Sequence, residues 1–110
     1  MVSAVSAYKI NNQGTITAES SGIEVYSEAS VREGIVNSGT IHAVNAGIMV
    51  TSSSSVKGGI TNGDGGTITG SDHYGIELIT SKIEGGITNE GSINVKGTAI
   101  SIESSTIDGG

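Results

Sequence analysis

A repeat of about 25 residues constrains the fold of this 110-residue chain more than any other feature of its sequence. Isoleucine recurs at three landmarks in each repeat. The first landmark is Ile10, Ile35, Ile60 and Ile87, the second is Ile16, Ile41, Ile68 and Ile93, and the third is Ile23, Ile48, Ile76 and Ile100. The steps are 25, 25 and 27, then 25, 27 and 25, then 25, 28 and 24. Such self-similarity is typical of stacked coils, so we expect these isoleucines to line the core.

The segments between turns favour strands over helices. Each repeat holds three short apolar stretches, for example residues 56–60, 67–69 and 75–80. Apolar residues alternate with polar ones inside them, as in Ile76-Glu77-Leu78 and Ile100-Ser101-Ile102, which predicts strands buried on one face. No window keeps a 3.6-residue period, and each of the many glycines would cost a helix about 1 kcal/mol relative to alanine.

The composition predicts a thin core built from stacked layers. The chain has no Pro, Cys, Trp or Phe, and only 3% of its residues are aromatic. A single repeat cannot bury its isoleucines, but each coil can cover the next. The sequence therefore predicts an all-β fold: a right-handed parallel β-helix, or β-solenoid, of about four coils with three short strands per coil. The right hand is favoured because the strict six-residue period of left-handed solenoids is absent.

We expect one solenoid domain over residues 1–110, with coils in residues 10–110. The first nine residues depart from the repeat pattern and are predicted to form a partial N-terminal cap. In that arrangement Ala4, Val5 and Ala7 would fold over Ile10 and Ile16. Such a cap would shield the first coil from water.

An asparagine stands two residues after each first-landmark isoleucine, at Asn12, Asn37, Asn62 and Asn89. An amide side chain offers both a donor and an acceptor, so a column of asparagines at one turn can hydrogen-bond along the stack. We interpret these four residues as a structural ladder, and a ligand-facing column is the alternative.

The run Gly85-Gly86-Ile87-Thr88-Asn89-Glu90-Gly91-Ser92-Ile93 resembles the passenger repeats of bacterial autotransporters, and the resemblance extends over nearly the whole chain. It implies a right-handed β-helix outside a Gram-negative cell, on the cell surface or secreted, that serves as an adhesin or as a stalk for one. A glycan or protein of the host or of a cell surface would then be the partner. The likeness lies in the style of the repeat and includes no catalytic motif.

Charge and hydropathy narrow the range of partners. The formal net charge is -6, from 5 Lys and Arg against 11 Asp and Glu, which argues against binding to nucleic acid or to anionic lipid. The apolar runs are too short for membrane insertion. The first ten residues also lack the pattern of a secretory signal, so we interpret the chain as a fragment of a longer passenger, with a stand-alone subunit as the alternative.

No catalytic residue, cofactor or metal site is predicted. Glu24 and Glu77 share an outward column, but two strand spacings, about 9.6 Å, separate them, which is the far edge of the range for an inverting glycosidase pair. His42 and His73 occupy non-equivalent positions, as expected for surface or turn residues. The run Gly63-Asp64-Gly65-Gly66 occurs once and is read as a turn insertion, since calcium-binding repeats need the motif on consecutive coils.

Two further surface features are candidates for contacts. A column of charges follows the residue that opens each coil, and it consists of Arg32, Lys57, Glu84 and Asp108. We expect Lys57 to lie beside Glu84 and to help set the register. Tyr26 and Tyr74 are candidate carbohydrate contacts, because sugars stack on tyrosine rings.

Two classes of function remain in contention on these grounds, and a third is less favoured. The first is a structural or adhesive surface solenoid without catalysis. The second is a subunit that self-assembles into a filament through its open terminal coils, since unpaired strand edges template another chain. The third, a polysaccharide-active enzyme, requires an acid, a base and a cation-binding cluster that no coil face gathers in the sequence.

Overall fold

The computed structural model describes residues 2–70 and 72–109, and for residues 2–5 it describes the backbone alone. This part of the chain contains sixteen strands and no helix. The strands are β1 Val2–Ala7, β2 Ile10–Asn12, β3 Thr15–Ala18, β4 Ser21–Val31, β5 Ile35–Asn37, β6 Thr40–Ala43, β7 Ala46–Val50, β8 Ser55–Lys57, β9 Ile60–Asn62, β10 Thr67–Thr69, β11 Tyr74–Ile79, β12 Lys82–Glu84, β13 Ile87–Asn89, β14 Ser92–Asn94, β15 Thr98–Glu103 and β16 Thr106–Asp108.

The strands form three parallel sheets that wrap around one axis. The first sheet runs β13-β9-β5-β2 and the second runs β14-β10-β6-β3. The third has two arms that meet in the long strand β4, with β7, β11 and β15 on one side and β8, β12 and β16 on the other. The prediction of an all-β solenoid of about four turns with three strands per coil is confirmed. The right hand of the coil stays a prediction.

The register of the sheets follows the isoleucine landmarks. Cα pairing joins the four isoleucines of each landmark from one coil to the next, without slippage, in all three sheets. We call the coils 1 to 4, for residues 10–34, 35–59, 60–86 and 87–109. The two-residue insertion of coil 3 lies in the turn between β9 and β10, where Gly66 N donates to Gly63 O at 2.8 Å.

Burial of the core falls toward the last coil. The isoleucines of coils 2 and 3 are 0% exposed at all three landmarks. In coil 4, Ile87 and Ile93 are partly buried, while Ile100 is 37% exposed and its neighbour Ile102 is 51% exposed. The same side chain in the same repeat position is therefore less buried in coil 4, whose strands have a partner on one side only.

A glycine corner divides residues 56–60, which the sequence pattern predicts to be one apolar segment. Strand β8 ends at Lys57 and β9 begins at Ile60 in another sheet. Between them Gly58 and Gly59 have φ angles of +86° and +79°, a left-handed conformation that side chains with a Cβ avoid. The corner lets the chain pass from the third sheet to the first.

The N-terminal strand β1 belongs to the third sheet. It pairs in parallel with β4, so that Ser6 aligns with Ser30 and Ala7 aligns with Val31, and the Ala7 side chain packs against the core. Of the predicted cap residues, Ala4 and Val5 have side chains that lie outside the described residues. Their role as a cap stays a prediction.

Candidate functional site

The asparagine column is one continuous chain of side-chain hydrogen bonds. Asn12 Nδ2 donates to Asn37 Oδ1 at 2.8 Å, Asn37 Nδ2 donates to Asn62 Oδ1 at 2.9 Å, and Asn62 Nδ2 donates to Asn89 Oδ1 at 2.8 Å. All bonds point toward the last coil. The column therefore has a direction, with a donor facing the C-terminal end and an acceptor facing the N-terminal end.

The hydrogen bonds of the inner amides leave little capacity for a ligand. Asn37 and Asn62 are 0% exposed. Asn62 Nδ2 also lies 3.3 Å from Gly66 O in its own coil and 3.1 Å from Ser92 O in the next coil. An amide buried in this way stabilises two coils at once, because its loss would leave polar groups unpaired in the interior. The geometry is that of a structural ladder.

A second polar column inside the fold was missed by the sequence analysis. The Ser54 hydroxyl is 1% exposed and accepts a hydrogen bond from Ala29 N at 3.1 Å, and Ser105 Oγ accepts one from Ser81 N at 3.0 Å. Both hydroxyls satisfy a backbone donor of the preceding coil. The signal was present in the sequence, since residues 29, 54, 81 and 105 step by 25, 27 and 24. It was hidden because serine is abundant in the turns.

The two candidate carboxylates lie in one column but two coils apart. Glu24 aligns with Met49, and Met49 aligns with Glu77. Glu24 is partly buried, whereas Glu77 is only 7% exposed, so the expectation that both carboxylates face water is wrong for Glu77. Alternation along a strand predicts the face on which a side chain lies. It does not predict how far the neighbouring side chains cover it.

Burial changes the acidity of Glu77. Its pKa is raised above the ordinary glutamate value, first by desolvation and then by the negative charge of Glu103, while His73 acts in the opposite direction. A raised pKa is one property of a general acid. Among the described residues, however, the column holds its other carboxylate two strand spacings away, about 9.6 Å, with a methionine between the two.

The structure does not bring the two candidate tyrosines together. Tyr26 lies within β4, and Tyr74 is the first residue of β11. Tyr74 aligns with Ala46 of the preceding coil, and Ala46 aligns with Ser21 of the coil before that. Tyr26 is five residues beyond Ser21, so the tyrosines are offset by about 16 Å along the strands as well as by two strand spacings. Both tyrosines are partly exposed, and the centroid of the Tyr74 ring lies 6.2 Å from the centroid of the His73 ring. They are two separate contact points.

The charged column is neutralised at one end only. Lys57 aligns with Glu84, as expected, but the ion pairs are made by Lys82, whose Nζ lies 3.9 Å from carboxylate oxygens of both Glu84 and Asp108. The third ion pair among the described residues joins Lys96 to Asp72 at 3.7 Å. Arg32 and Lys57 take part in none of these pairs.

The described residues contain neither a metal-binding cluster nor a membrane-spanning helix. In residues 2–70 and 72–109 no group of three or more His, Cys, Asp and Glu side chains is placed to hold a metal ion. His42 lies exposed on β6, and His73 is exposed in the turn before β11. Over the same ranges there is no helix of the length and apolarity needed to span a bilayer.

Comparison of the chain with protein-family models, with curated proteins and with solved structures finds no significant match in any of the three. What is established for this protein is therefore its fold, a parallel β-solenoid of about four turns.

Proposed function

We propose that the chain is a structural and adhesive segment of a bacterial surface or secreted protein of the autotransporter-passenger kind, without catalysis of its own. The observation that carries the proposal is the unbroken axial register. Three isoleucine columns and one asparagine ladder run through all four coils without a slip. Such a stack can be lengthened coil by coil, because each coil contacts only its neighbours.

The outer faces support a contact role better than a reaction site. Polar side chains stand at intervals of one strand spacing, about 4.8 Å, along columns that the core holds rigid. The two carboxylates of the Glu24 column lie two strand spacings apart with Met49 between them, at the far edge of the range for a hydrolase pair that acts on one bond. Repeated weak contacts along a rigid face give avidity without any deep pocket.

The test is display of the chain on a bacterial surface between a signal peptide and a translocating barrel. We expect export, resistance of the displayed coils to protease, and adherence to glycan-coated beads or host cells. Adherence should fall several-fold in a Tyr26→Ala, Tyr74→Ala double variant, since each ring offers a stacking face. A Tyr26→Phe, Tyr74→Phe double variant is the matched control, because it keeps both aromatic rings and removes only their hydroxyls. If the unmodified chain does not adhere, or if it adheres no better than the double alanine variant and the control variant, the proposed adhesive role is wrong.

A second candidate function, a subunit that stacks end to end, is favoured by one observation. The last coil of the described residues exposes Ile100 and Ile102 together with strand edges that have a partner on one side only. Light scattering over a concentration series, with electron microscopy of the same sample, tests this. Association that Ile102→Lys abolishes would support a filament, and a well-folded monomer at every concentration would contradict it.

A further inference from the structure

A groove on the outside of the third sheet combines positive charge with hydroxyl groups. Its volume is about 420 Å³. The lining residues are Ser6, Ser30, Val31, Arg32, Ser55 and Lys57. They lie on β1, on β4 and the residue that follows it, and on β8, and these three strands are neighbours in the sheet. The groove therefore spans the N-terminal strand and coils 1 and 2 instead of lying within one coil.

The register places the polar groups of the groove on one face. Ser6 aligns with Ser30 and Ser30 aligns with Ser55, so three hydroxyls form a column. Two residues beyond Ser30 and Ser55 come Arg32, which directly follows the end of β4, and Lys57, the last residue of β8, and the two strands lie about 4.8 Å apart. The intervening Val31 and Val56 point into the core, where they are 1% and 0% exposed. Alternation along the strands thus directs hydroxyls and cations to the same outer side.

The two cations of the groove lack carboxylate partners although the whole chain is acidic. Its net charge is -6, yet among the described residues neither Arg32 nor Lys57 forms an ion pair. The nearby carboxylates are engaged elsewhere. Glu84 pairs with Lys82, and Glu33 Oε1 accepts a hydrogen bond from Tyr8 Oη at 2.9 Å. Like charges side by side on neighbouring strands repel each other, and a bound anion would remove that repulsion.

The backbone under Arg32 is fixed. Its N–H lies 3.2 Å from Ala7 O and 3.1 Å from Tyr8 O, so the side chain starts from a rigid position at the rim of the groove. A guanidinium donates in parallel to two oxygens of an oxyanion, whereas an ammonium acts as a point charge. Hydroxyl groups add neutral donors. The Arg32 guanidinium, the Lys57 ammonium and the serine hydroxyls together offer enough donors for a group with three or more acceptor oxygens, whereas a planar carboxylate has only two oxygens.

We propose that this groove binds a tetrahedral oxyanion of the sulfate or phosphate class, held by Arg32 and Lys57 and by the hydroxyls of Ser30 and Ser55. The anion can be free or can be an ester group on a sugar. The proposal does not depend on the surface role proposed above. A purely structural solenoid could use the anion to tie coils 1 and 2 together, and an adhesive one could use it to hold a sulfated or phosphorylated glycan.

The experiment is a titration of the isotope-labelled chain with sodium sulfate, followed by NMR, with sodium chloride adjusted to keep the ionic strength constant. We expect saturable shifts confined to the amides of the groove residues. Arg32→Gln and Lys57→Gln should each weaken binding roughly tenfold, as loss of a charge-assisted bond does. Lys96→Gln is the matched control, because it removes one exposed positive charge that is paired with Asp72 away from the groove. It should change binding less than twofold.

A sulfated disaccharide and its desulfated form identify the source of the anion. Tighter binding of the sulfated sugar than of inorganic sulfate supports a glycan ester as the ligand. Equal affinities for the sulfated sugar and inorganic sulfate support the free anion. Shifts that are absent or spread over the whole chain would overturn the proposal, and so would loss of binding in Lys96→Gln equal to that in Arg32→Gln. Preserved chemical shifts outside the groove show that each variant is folded.

Discussion

Coils 3 and 4 have nearly the same sequence pattern but differ in the burial and hydrogen bonding of equivalent residues. Ile76 is 0% exposed and Ile100, at the same position one coil later, is 37% exposed. Asn62 is 0% exposed and donates along the ladder, whereas Asn89 is exposed and accepts. A repeat in this fold therefore has no fixed stability of its own. Its contribution is set by the coils on either side.

Truncation of the third-landmark isoleucines should give the largest effect. Ile76→Ala removes a fully buried side chain between two coils and should lower the free energy of unfolding by about 2–5 kcal/mol. Ile100→Ala removes the same atoms from a partly exposed site and should cost less than half as much. Chemical denaturation of both variants measures the difference. Equal losses would mean that coil 4 is as well covered as coil 3.

Gly22, Gly47 and Gly75 occupy the same position in coils 1, 2 and 3, and adding a methyl group there tests how closely the coils stack. A Cβ at Gly47 would clash with Ile68 Cγ2 and lie 2.7 Å from Gly75 O in the next coil, so Gly47→Ala should destabilise by about 1–3 kcal/mol through overpacking. At the equivalent position in coil 4 the sequence already has Ala99. Gly14→Ala is the control, because nothing lies within 4 Å of its added Cβ. A neutral Gly47→Ala in thermal unfolding would contradict the close stacking of coils 2 and 3.

The asparagine ladder should show the same contrast with a smaller magnitude. Asn62→Ala leaves the carbonyls of Gly66 and Ser92 without this donor and should destabilise by about 1–3 kcal/mol. Asn89→Ala, at the exposed end, should cost well under 1 kcal/mol. Thr61→Ala beside the ladder is the local control. If urea unfolding shifts equally little for Asn62→Ala and Thr61→Ala, the ladder does not carry the stability assigned to it.

Protonation of Glu77 should give the smallest effect, and its direction follows from the raised pKa. Since the folded state holds this proton more tightly than the unfolded state, the stabilisation is complete below the unfolded pKa of about 4.3 and is lost as the pH rises through the folded pKa. Glu77→Gln should therefore raise the melting temperature at pH 7 and flatten its decline above pH 4. Glu24→Gln, in the same column two coils away, should change the profile less. A melting temperature of Glu77→Gln that falls above pH 4 as steeply as that of the unmodified chain, or more steeply, would contradict this sign.

The sequence predicts the axial arrangement of this fold well because periodicity reports stacking directly. Ile35 and Ile60 are one repeat apart, and residues one repeat apart are neighbours in a solenoid. The same logic places Asn37 over Asn62. No tertiary detail is needed for either inference, since equal spacing in sequence becomes vertical alignment in space.

The lateral arrangement is less accessible from sequence. The repeat spacing predicts none of three features: the burial of Glu77, the backbone corner at Gly58, and the pairing of Glu84 with Lys82 of its own strand instead of Lys57 of the neighbouring coil. A strand pattern states which face a residue occupies, but rotamers and neighbouring columns decide what it touches. The cationic groove is equally hard to predict, because its hydroxyls and charges come from the N-terminal strand and from coils 1 and 2, which meet only after folding.

Hydrogen exchange at the first-landmark amides tests the central claim most directly. The amides of Ile35 and Ile60 each donate at 3.0 Å to the carbonyl just before the next isoleucine of the column, Gly59 O and Gly86 O respectively. Ile87 occupies the same position in coil 4, whose strand β13 has a partner on one side only. At concentrations where light scattering reports a monomer, we predict exchange of Ile35 and Ile60 only through global unfolding, and exchange of Ile87 near the unprotected rate. Similar rates at all three amides would contradict a solenoid stabilised by its neighbouring coils.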